Sequence, residues 1–230
     1  MGLIALSGCR LFATYEFVDT ATGAKNIEVS GEIVDFLTRV PISGVEVCAL
    51  ERPDIACVVA NADGLYTLTG IPANEAGILE YTRSGYKSGL HFVVSGAENV
   101  TTDYEMIDEI QLALLSAVLD PPVDPDSALV LSHAESNGEG TPGTVASLDP
   151  ASGNGPVYAS EEGIIDLDAT AVIDRIGIWY GLPDGDYTVT MVHPTLDCQP
   201  TGGWPADGLS SHGTRAYQGY LSTAAPFECQ

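Results

Sequence analysis

Pairs of carboxylates are the feature of this sequence best suited to chemistry. Aspartates two positions apart fall on one face of a strand, or can be folded by a loop around a cation. Three such pairs are present, namely Asp124/Asp126, Asp166/Asp168 and Asp184/Asp186. None has the spacing of an EF-hand loop, so we predict no cofactor and take Asp166 and Asp168 as the best candidate ligands for Ca²⁺.

Two further segments bring together side chains of the kind that catalytic groups use. Ser210 and Ser211 precede His212, and Glu135 follows His133 by two positions. The first segment lacks a Gly-x-Ser-x-Gly elbow, and the second lacks the Pro-Cys-x-x-Cys of zinc deaminases. Phosphate-binding, dinucleotide-binding and His-Glu-x-x-His motifs do not occur in the sequence either. We therefore predict no catalytic residues and no enzyme activity.

Aromatic residues concentrate in the second half and offer a different kind of site. Exposed rings such as those of Trp179 and Trp204 could stack on the faces of sugars, with Tyr180, Tyr217 and Tyr220 nearby in sequence. The alternative places Trp179 in the core of a sheet and makes Trp204 the plug of a loop. Trp179 and Trp204 are thus candidate ligand-binding residues for an extracellular polysaccharide.

The charge balance limits the partners of the protein. Thirty-two acidic residues against eight basic ones give a net charge of −24. Lys and Arg supply the contacts that neutralise phosphates, so nucleic acid is excluded as the main partner. Only 17% of the residues are charged and 45% are hydrophobic, which is too apolar for a disordered acidic tail. The 230 residues are enough for one large domain or two ordinary ones.

The start of the chain resembles the processing site of a bacterial lipoprotein. Leu6-Ser7-Gly8-Cys9 is similar to the lipobox, where the signal is cut before the cysteine and that cysteine is acylated. The resemblance implies a truncated signal over residues 1–9, a lipid on Cys9 and a tether over residues 10–28. It implies the outer membrane or surface of a Gram-negative-type bacterium; without the lipid, the protein is expected in the periplasm or secreted. The alternative is an ordinary cysteine at the end of a buried strand.

Four cysteines remain when Cys9 is set aside, and four cysteines can pair in three ways. Cys48 and Cys57 lie close together in the first half, while Cys198 and Cys229 lie in the second. We therefore predict the disulfides Cys48–Cys57 and Cys198–Cys229. Zinc is the rival ligand, but no Cys-x-x-Cys occurs and the four histidines are scattered. Disulfides persist in oxidising compartments, so this pairing favours export.

Short alternating segments separated by turn residues dominate residues 29–95. About seven strands at roughly ten-residue spacing are typical of an antiparallel sandwich. The motifs here resemble those of carboxypeptidase regulatory-like domains, which have a transthyretin-like fold. The resemblance rests on Gly31-x-Ile33-x-Asp35, Thr38-x-x-Pro41-Ile42-x-Gly44-Val45-x-Val47, Asp63-Gly64-x-Tyr66-x-Leu68, Gly70-Ile71-Pro72 and Gly85-Tyr86. It implies a module without catalytic residues, and the longer loop at residues 73–77 departs from the pattern.

Residues 106–120 have helical periodicity instead. Their apolar residues at helical spacing are Ile107, Ile110, Leu114, Leu115 and Val118. Asp108 and Glu109 fall in the first turn, where the helix dipole favours acids. We predict one short amphipathic helix that packs this apolar face against a sandwich. A membrane-surface helix is the alternative, but it would need Lys and Arg on its polar face.

The second half repeats the plan of the first. Gly181-Leu182-Pro183 echoes Gly70-Ile71-Pro72, 111 residues earlier, and Pro142-Gly143 echoes the turn at residues 41–44. The predicted fold class is all-β, with two tandem antiparallel β-sandwich (transthyretin/prealbumin-like) domains and one short linking helix. Their limits are 29–120 for the first sandwich with its helix, 121–126 for a linker and 127–230 for the second sandwich.

These observations together predict a non-enzymatic cell-surface lipoprotein whose tandem modules serve structural display or extracellular binding. The alternative is a carbohydrate-binding accessory protein that uses the aromatic residues of the second domain. The expected partners are the membrane, through the lipid anchor, and an extracellular polysaccharide or protein.

Overall fold

The structure is a computed structural model that describes residues 25–137, 139–159, 165–166, 176–206 and 208–230. In this part of the chain strands predominate beside one short helix, which confirms the all-β class. The elements of the first half are β1 (Asn26–Asp35), β2 (Glu46–Ala49), β3 (Val58–Val59), β4 (Leu65–Pro72), β5 (Ala76–Thr82), β6 (Ser88–Val94), β7 (Val100–Thr101), β8 (Tyr104–Met106) and α1 (Glu109–Val118). Those of the second half are β9 (Ala128–Ser136), β10 (Glu139–Gly140), β11 (Val145–Asp149), β12 (Asn154–Ala159), β13 (Ile165–Asp166), β14 (Ile176–Leu182), β15 (Gly185–Val192), β16 (Cys198–Pro200), β17 (Trp204–Pro205), β18 (Ser211–Ala216), β19 (Tyr220–Thr223) and β20 (Phe227–Cys229).

The described strands form three sheets. The front sheet has the order β4-β1-β7, with β8 also paired to β1, and the back sheet has the order β11-β15-β18-β17. The central sheet has the order β13-β12-β14-β9-β19-β6-β5-β2-β3; β10 and β20 join it at β9, and β16 pairs with β20. The central sheet therefore contains strands from both halves of the chain.

The other layers cover both faces of the central sheet. One row of paired residues crosses it through Leu79, His91, Thr223 and Leu131, so these side chains share a face. At one end of this row Leu79 packs in a core with the front sheet, and at the other end Leu131 packs in a core with α1. The back sheet covers the opposite face, where Trp179 lies in the core.

The two halves meet along the C-terminal segment 220–229. β19 lies between β6 of the first half and β9 of the second, and it is parallel to both. β20 then continues alongside β9, and the Cys198–Cys229 disulfide ties it to β16. Strands from both sides of the predicted linker therefore belong to one sheet. Two separate transthyretin-like sandwiches are not shown, and the limits 29–120 and 127–230 stay a prediction.

The first strand begins inside the predicted tether. β1 starts at Asn26, and its inward-facing positions include Ile27, Val29 and Ile33. The tether prediction is therefore wrong for residues 26–28, because Ile27 continues the buried alternation and pairs with Ile71 of β4.

A capping box begins α1 within the predicted segment. The Asp108 carboxylate accepts a hydrogen bond from the Gln111 backbone N–H at 2.6 Å, and the Gln111 side chain accepts one from the Asp108 backbone. The Gln111 amide also donates to both carboxylate oxygens of Asp35, at 2.9 and 3.0 Å. These bonds fix the rotation of the helix about its axis.

The inward face of α1 differs from the predicted one. Leu112 and Leu115 are buried, whereas Ile110, Leu114 and Val118 are exposed. The prediction is therefore wrong at those three positions. Apolar residues occupy both sides of this helix, so periodicity alone could not choose between the faces.

The predicted linker is packed against its surroundings. Val123 is buried in the core beneath α1. The Lys87 amino group donates hydrogen bonds to the carbonyl oxygens of Pro125 and Ser127. The linker is thus held from both sides.

The two Gly-apolar-Pro segments have the same structural role. Each was expected to follow a strand, but Gly70-Ile71-Pro72 forms the end of β4, and Gly181-Leu182 forms the end of β14 with Pro183 directly after it. Gly70 and Gly181 have positive φ angles, +86° and +66°, and the strand pairing skips both residues. Both glycines are therefore the extra residue of a β-bulge, where a positive φ favours glycine.

Gly89→Ala is expected to destabilise the fold, because a Cβ at this position would lie 2.2 Å from the hydroxyl of Tyr104. That ring cannot retreat, since it stacks on Tyr81 and its hydroxyl donates to the Leu221 carbonyl. Overpacking of this kind costs about 2 kcal/mol. The free energy of unfolding in urea, with the disulfides intact, measures the loss.

Gly77→Ala is the matched control, because the nearest atom to its new Cβ would be 3.9 Å away. We expect a change within about 0.5 kcal/mol for this variant. Equal stability of the two variants would contradict the packing described for Gly89.

Candidate functional site

Both predicted disulfides are present in the structure. Cys48 at β2 is bonded to Cys57 just before β3, and Cys198 is bonded to Cys229 across the β16–β20 pair. The pairing predicted from the sequence is confirmed. Cys9 and its lipidation lie outside the described residues.

The described carboxylate pairs form contacts within the protein. Asp184 accepts a hydrogen bond from the Gln218 backbone N–H at 2.6 Å, and Asp186 forms an ion pair with Arg215. Asp124 accepts one from the Asp126 backbone N–H at 2.9 Å. Each of these three carboxylates thus contacts a neighbouring part of the fold.

The Ca²⁺ prediction itself falls largely outside the described residues. Asp168 is not among them, and of Asp166 only the backbone in β13 is described. Within the described residues the group with metal-ligand spacing is Glu46, Cys48 and Cys57. Its two sulfurs form a disulfide, so they are not the thiolates that bind metals.

The serine–histidine segment is not arranged for nucleophilic catalysis. His212 is buried, and its Nδ1 lies 3.0 Å from the Gly213 carbonyl. The hydroxyl of Ser211 bonds that of Thr190 at 2.7 Å. The segment forms part of the β15–β18 ladder.

Trp179 does not have the exposure that sugar stacking needs. It is 2% exposed and packs in the core between the central and back sheets. The ligand-binding prediction is therefore wrong for Trp179, because its position on β14 points it into that core. The alternative reading, a core tryptophan, is confirmed.

Trp204 is partly exposed but forms contacts across the two halves. Its ring packs edge-on against Phe92 of β6 with centroids 4.9 Å apart, and its indole N–H donates to the Gly77 carbonyl at 3.3 Å. These contacts agree with the alternative to sugar binding, in which Trp204 packs as the plug of a loop. Ligand binding through Trp204 stays a prediction.

Trp204 belongs to a cluster that we call the aromatic seam, formed by Trp204, Arg215, Tyr217, Tyr220, Phe92 and Glu80. The Arg215 guanidinium lies 5.4 Å from the ring centroid of Trp204 and 5.8 Å from that of Tyr217. Such cation–π contacts stabilise a partly desolvated guanidinium. The seam closes the back sheet onto β5 and β6.

Charged hydrogen bonds hold both ends of the aromatic seam. The Tyr220 hydroxyl donates to Glu80 at 2.6 Å, which, together with burial, raises the pKa of Tyr220 to about 12. Arg215 is hydrogen-bonded to Asp186, and this bond raises the pKa of Arg215 despite partial burial. The seam thus joins the halves by packing and charge, with Tyr220 protonated and Arg215 charged near pH 7.

Asp35 is an important residue that sequence reasoning did not single out as a site. It is buried and accepts hydrogen bonds from the backbone of Leu37, from Thr38 and from Gln111. Burial alone would raise the pKa of Asp35, but these bonds outweigh it and hold the pKa below its usual value. Its place in the Gly31-x-Ile33-x-Asp35 motif was the available signal.

Two buried histidines lie where the layers meet. His91 of β6 bonds the Thr102 hydroxyl at 2.8 Å, and its ring lies edge-on to Tyr104. Burial, helped by the nearby His212 imidazole and opposed by a backbone hydrogen bond to Thr223, lowers the pKa of His91 to about 4. Burial also lowers the pKa of His212. Both side chains are therefore neutral near pH 7.

Comparisons with known proteins give only distant likenesses. No protein-family model and no curated protein sequence matches the chain. Among solved structures, the shaft pilin SpaA from Lactobacillus rhamnosus GG is 10% identical with a TM-score of 0.28, over 90% of this chain and 98% of that chain. GBS52, the minor pilin of Streptococcus agalactiae, is 10% identical with a TM-score of 0.26, over 89% and 96%.

The Bacillus anthracis TIE protein is 9% identical with a TM-score of 0.27, and the match covers 89% of this chain but 34% of that chain. This chain thus spans about a third of the TIE protein. These likenesses are too distant to assign a family or a function, and the carboxypeptidase regulatory-like assignment stays a prediction. In the described part of the chain, no helix is long and apolar enough to cross a membrane.

Acidification is expected to destabilise the fold through His91. Its pKa is about 4 in the folded state and about 6.5 in an unfolded chain, so the unfolded state binds the proton first. Stability is then lost as the pH falls from about 6.5 to about 4, by about 3 kcal/mol for this group. Urea unfolding at a series of pH values measures the slope.

His91→Gln is expected to remove the contribution of His91 to the pH dependence of the free energy of unfolding. This holds whatever the stability of the variant at pH 7. The partly exposed His193→Gln is the control, in which the His91 contribution to the slope is retained. Parallel pH profiles for the wild type and His91→Gln would show that His91 does not titrate as described.

Proposed function

We propose that this protein is a non-enzymatic structural protein of the cell surface, held at a membrane by a lipid on Cys9. The observation that carries the proposal is the pair of disulfides, each between strand segments that lie side by side. Such bonds persist outside the reducing cytosol. Four of the five cysteines are used in this way, and Cys9 is the remaining one.

The roles of the polar side chains support a display scaffold. Asp35, Asp186 and Glu80, which could in principle serve chemistry, form hydrogen bonds or ion pairs that join elements of the fold. The central sheet continues through both halves and is covered on each face. A fold of this kind is suited to structural display, or to binding an extracellular polysaccharide or protein.

The turn chemistry supports tandem carboxypeptidase regulatory-like modules as the finer assignment. Gly64 has a φ of +73°, and a Cβ there would lie 2.6 Å from the Ile33 carbonyl oxygen. Both the backbone conformation and the close contact therefore favour glycine at this position of the Asp63-Gly64 motif. Asn61 completes this turn by accepting hydrogen bonds from the backbone of Asp63 and Leu65. The bulges at Gly70 and Gly181 extend the likeness between the halves.

Lipid labelling tests the anchor. When the full-length gene product is expressed in a Gram-negative host with radiolabelled palmitate, we expect label on the wild type and none on Cys9→Ala. Several acyl chains bind a membrane firmly because each buried CH₂ contributes about 0.8 kcal/mol. The Cys9→Ala protein should therefore leave the membrane fraction.

Cys57→Ser is the control, since it removes an exposed cysteine and keeps Cys9. It should retain the label. An unlabelled wild type, or a Cys9→Ala protein that stays labelled in the membrane fraction, would overturn the anchor.

Thiol counting tests the compartment separately. Alkylation of the protein from its native host, before and after reduction, should show Cys48, Cys57, Cys198 and Cys229 protected until the reductant is added. Free thiols at these four positions would place the protein in a reducing compartment and contradict the proposal.

A further inference from the structure

The two disulfides differ in their access to solvent. Cys198 and Cys229 are 2% and 0% exposed, and they pack in the core between the central and back sheets. Cys57 is exposed and Cys48 is partly exposed. A thiol in solution therefore reaches the first bond in the folded protein. It reaches the second bond only when the β16–β20 pair, which that bond joins, has opened.

The Cys48–Cys57 bond lies at the edge of the central sheet. β3 is the last strand of that sheet, is two residues long and pairs with β2. Val47 and Ile55 are buried in the core with the front sheet, and the Ala60 backbone N–H donates to the Val45 carbonyl at 2.8 Å. These contacts do not involve the sulfur atoms. Breaking the bond therefore leaves the packing of the neighbouring segments in place.

Carboxylates stand next to the sulfur atoms of this bond. A carboxylate oxygen of Glu46 and the two sulfur atoms lie within 4.8 Å of one another. Glu46 is exposed, and it forms no ion pair within the described part of the chain. Glu80 of β5 lies opposite Cys48 in the strand pairing and accepts a hydrogen bond from Tyr220. A thiol that approaches the bond thus meets negative charge, which attracts a cation and repels an anion.

The arginines near the bond are held by other groups. Arg52 lies in the loop that the disulfide closes, and it forms ion pairs with Asp54 at 2.9 Å and Glu75 at 3.4 Å. Arg83 follows β5, and its guanidinium lies 5.1 Å from the ring centroid of Tyr86. The surroundings of the bond therefore keep an excess of negative charge.

We propose that the Cys48–Cys57 disulfide is a thiol-exchange site that prefers small cationic thiols to anionic ones, with Cys57 as the sulfur that is attacked. The thiolate of an aminothiol forms a new S–S bond with Cys57 while the old bond breaks. The electron pair of the old bond goes to the sulfur of Cys48, which then takes a proton from water. Glu46 attracts the ammonium group of the incoming thiol, and the buried second disulfide does not react.

Identification of the product tests which bond and which sulfur react. The full chain with Cys9→Ser, which removes the remaining thiol, is treated with cysteamine, and free thiols are trapped with N-ethylmaleimide. Peptide mass spectrometry should find cysteamine on Cys57 and maleimide on Cys48. Cys198–Cys229 should react at least about tenfold more slowly, because its exchange waits for local opening.

Three products of this reaction would overturn the proposal. Cysteamine found mainly on Cys48 would show that the wrong sulfur was assigned. Equal loss of both disulfides would show that burial does not protect the second one. No reaction at either bond, while a small reference disulfide is reduced, would show that the first bond is not accessible.

A comparison of two thiols tests the preference for charge. The rate with cysteamine is divided by the rate with 3-mercaptopropionate, after each is normalised to the rate of the same thiol with an uncharged reference disulfide. We expect a ratio of at least about five at low ionic strength, because unit charges several ångströms apart still interact in water. The ratio should approach one in 1 M salt, where the Debye length is about 3 Å.

Glu46→Gln should lower this ratio at least about threefold, since it removes the carboxylate beside the sulfurs. Asp149→Asn is the matched control, because it removes an equal charge from an exposed position on β11, at the far edge of the back sheet. It should leave the ratio unchanged. A variant that merely loosens the fold would accelerate both thiols alike and would not change the ratio. Equal ratios in the two variants, or a wild-type ratio near one at low salt, would overturn the assigned preference.

Discussion

Parallel pairing of β19 with both β6 and β9 is the interaction on which the rest of the structure depends. Without it, β6 and β9 would each present a row of unpaired backbone groups at the middle of the molecule. The segment is secured at its far end by the Cys198–Cys229 disulfide, and the Tyr104 hydroxyl donates to the Leu221 carbonyl. Three strands thus bring two sequence-distant halves into one sheet, and the layers on either face can extend from one half to the other.

This pairing also explains why side chains that could serve binding or catalysis instead form contacts within the fold. The aromatic seam can form because β18 and β19 bring Arg215 and Tyr220 beside β5 and β6. The buried His91 lies in the same region, opposite Thr223 of β19. A protein that joins its halves by aromatic and hydrogen-bonding contacts, and closes a disulfide within each half, is suited to persist outside the cell, which is the setting that we propose for it.

Much of the local structure could be predicted from the sequence, because its causes are local. Alternation placed most of the strands, the Asp63-Gly64 turn followed from backbone geometry, and cysteine spacing gave both disulfides. The partner of β19 could not be predicted, since a parallel pairing with β6 more than a hundred residues away leaves no local pattern. The face of α1 was ambiguous because both sides are apolar, and Trp179 could be assigned to the core only once its strand had neighbours. For the candidate site, the sequence named Trp204 but not Arg215 or Glu80, whose roles arise from contacts between the halves.

Native-state hydrogen exchange at increasing denaturant concentration tests this account most directly, because it measures the opening free energy of each strand separately. If β19 makes the halves one body, the amides of β6 and β9 will share one opening free energy and one dependence on denaturant. If β9 and β19 open together while β6 keeps its protection at a distinctly higher free energy, the halves are independent and the central claim is contradicted.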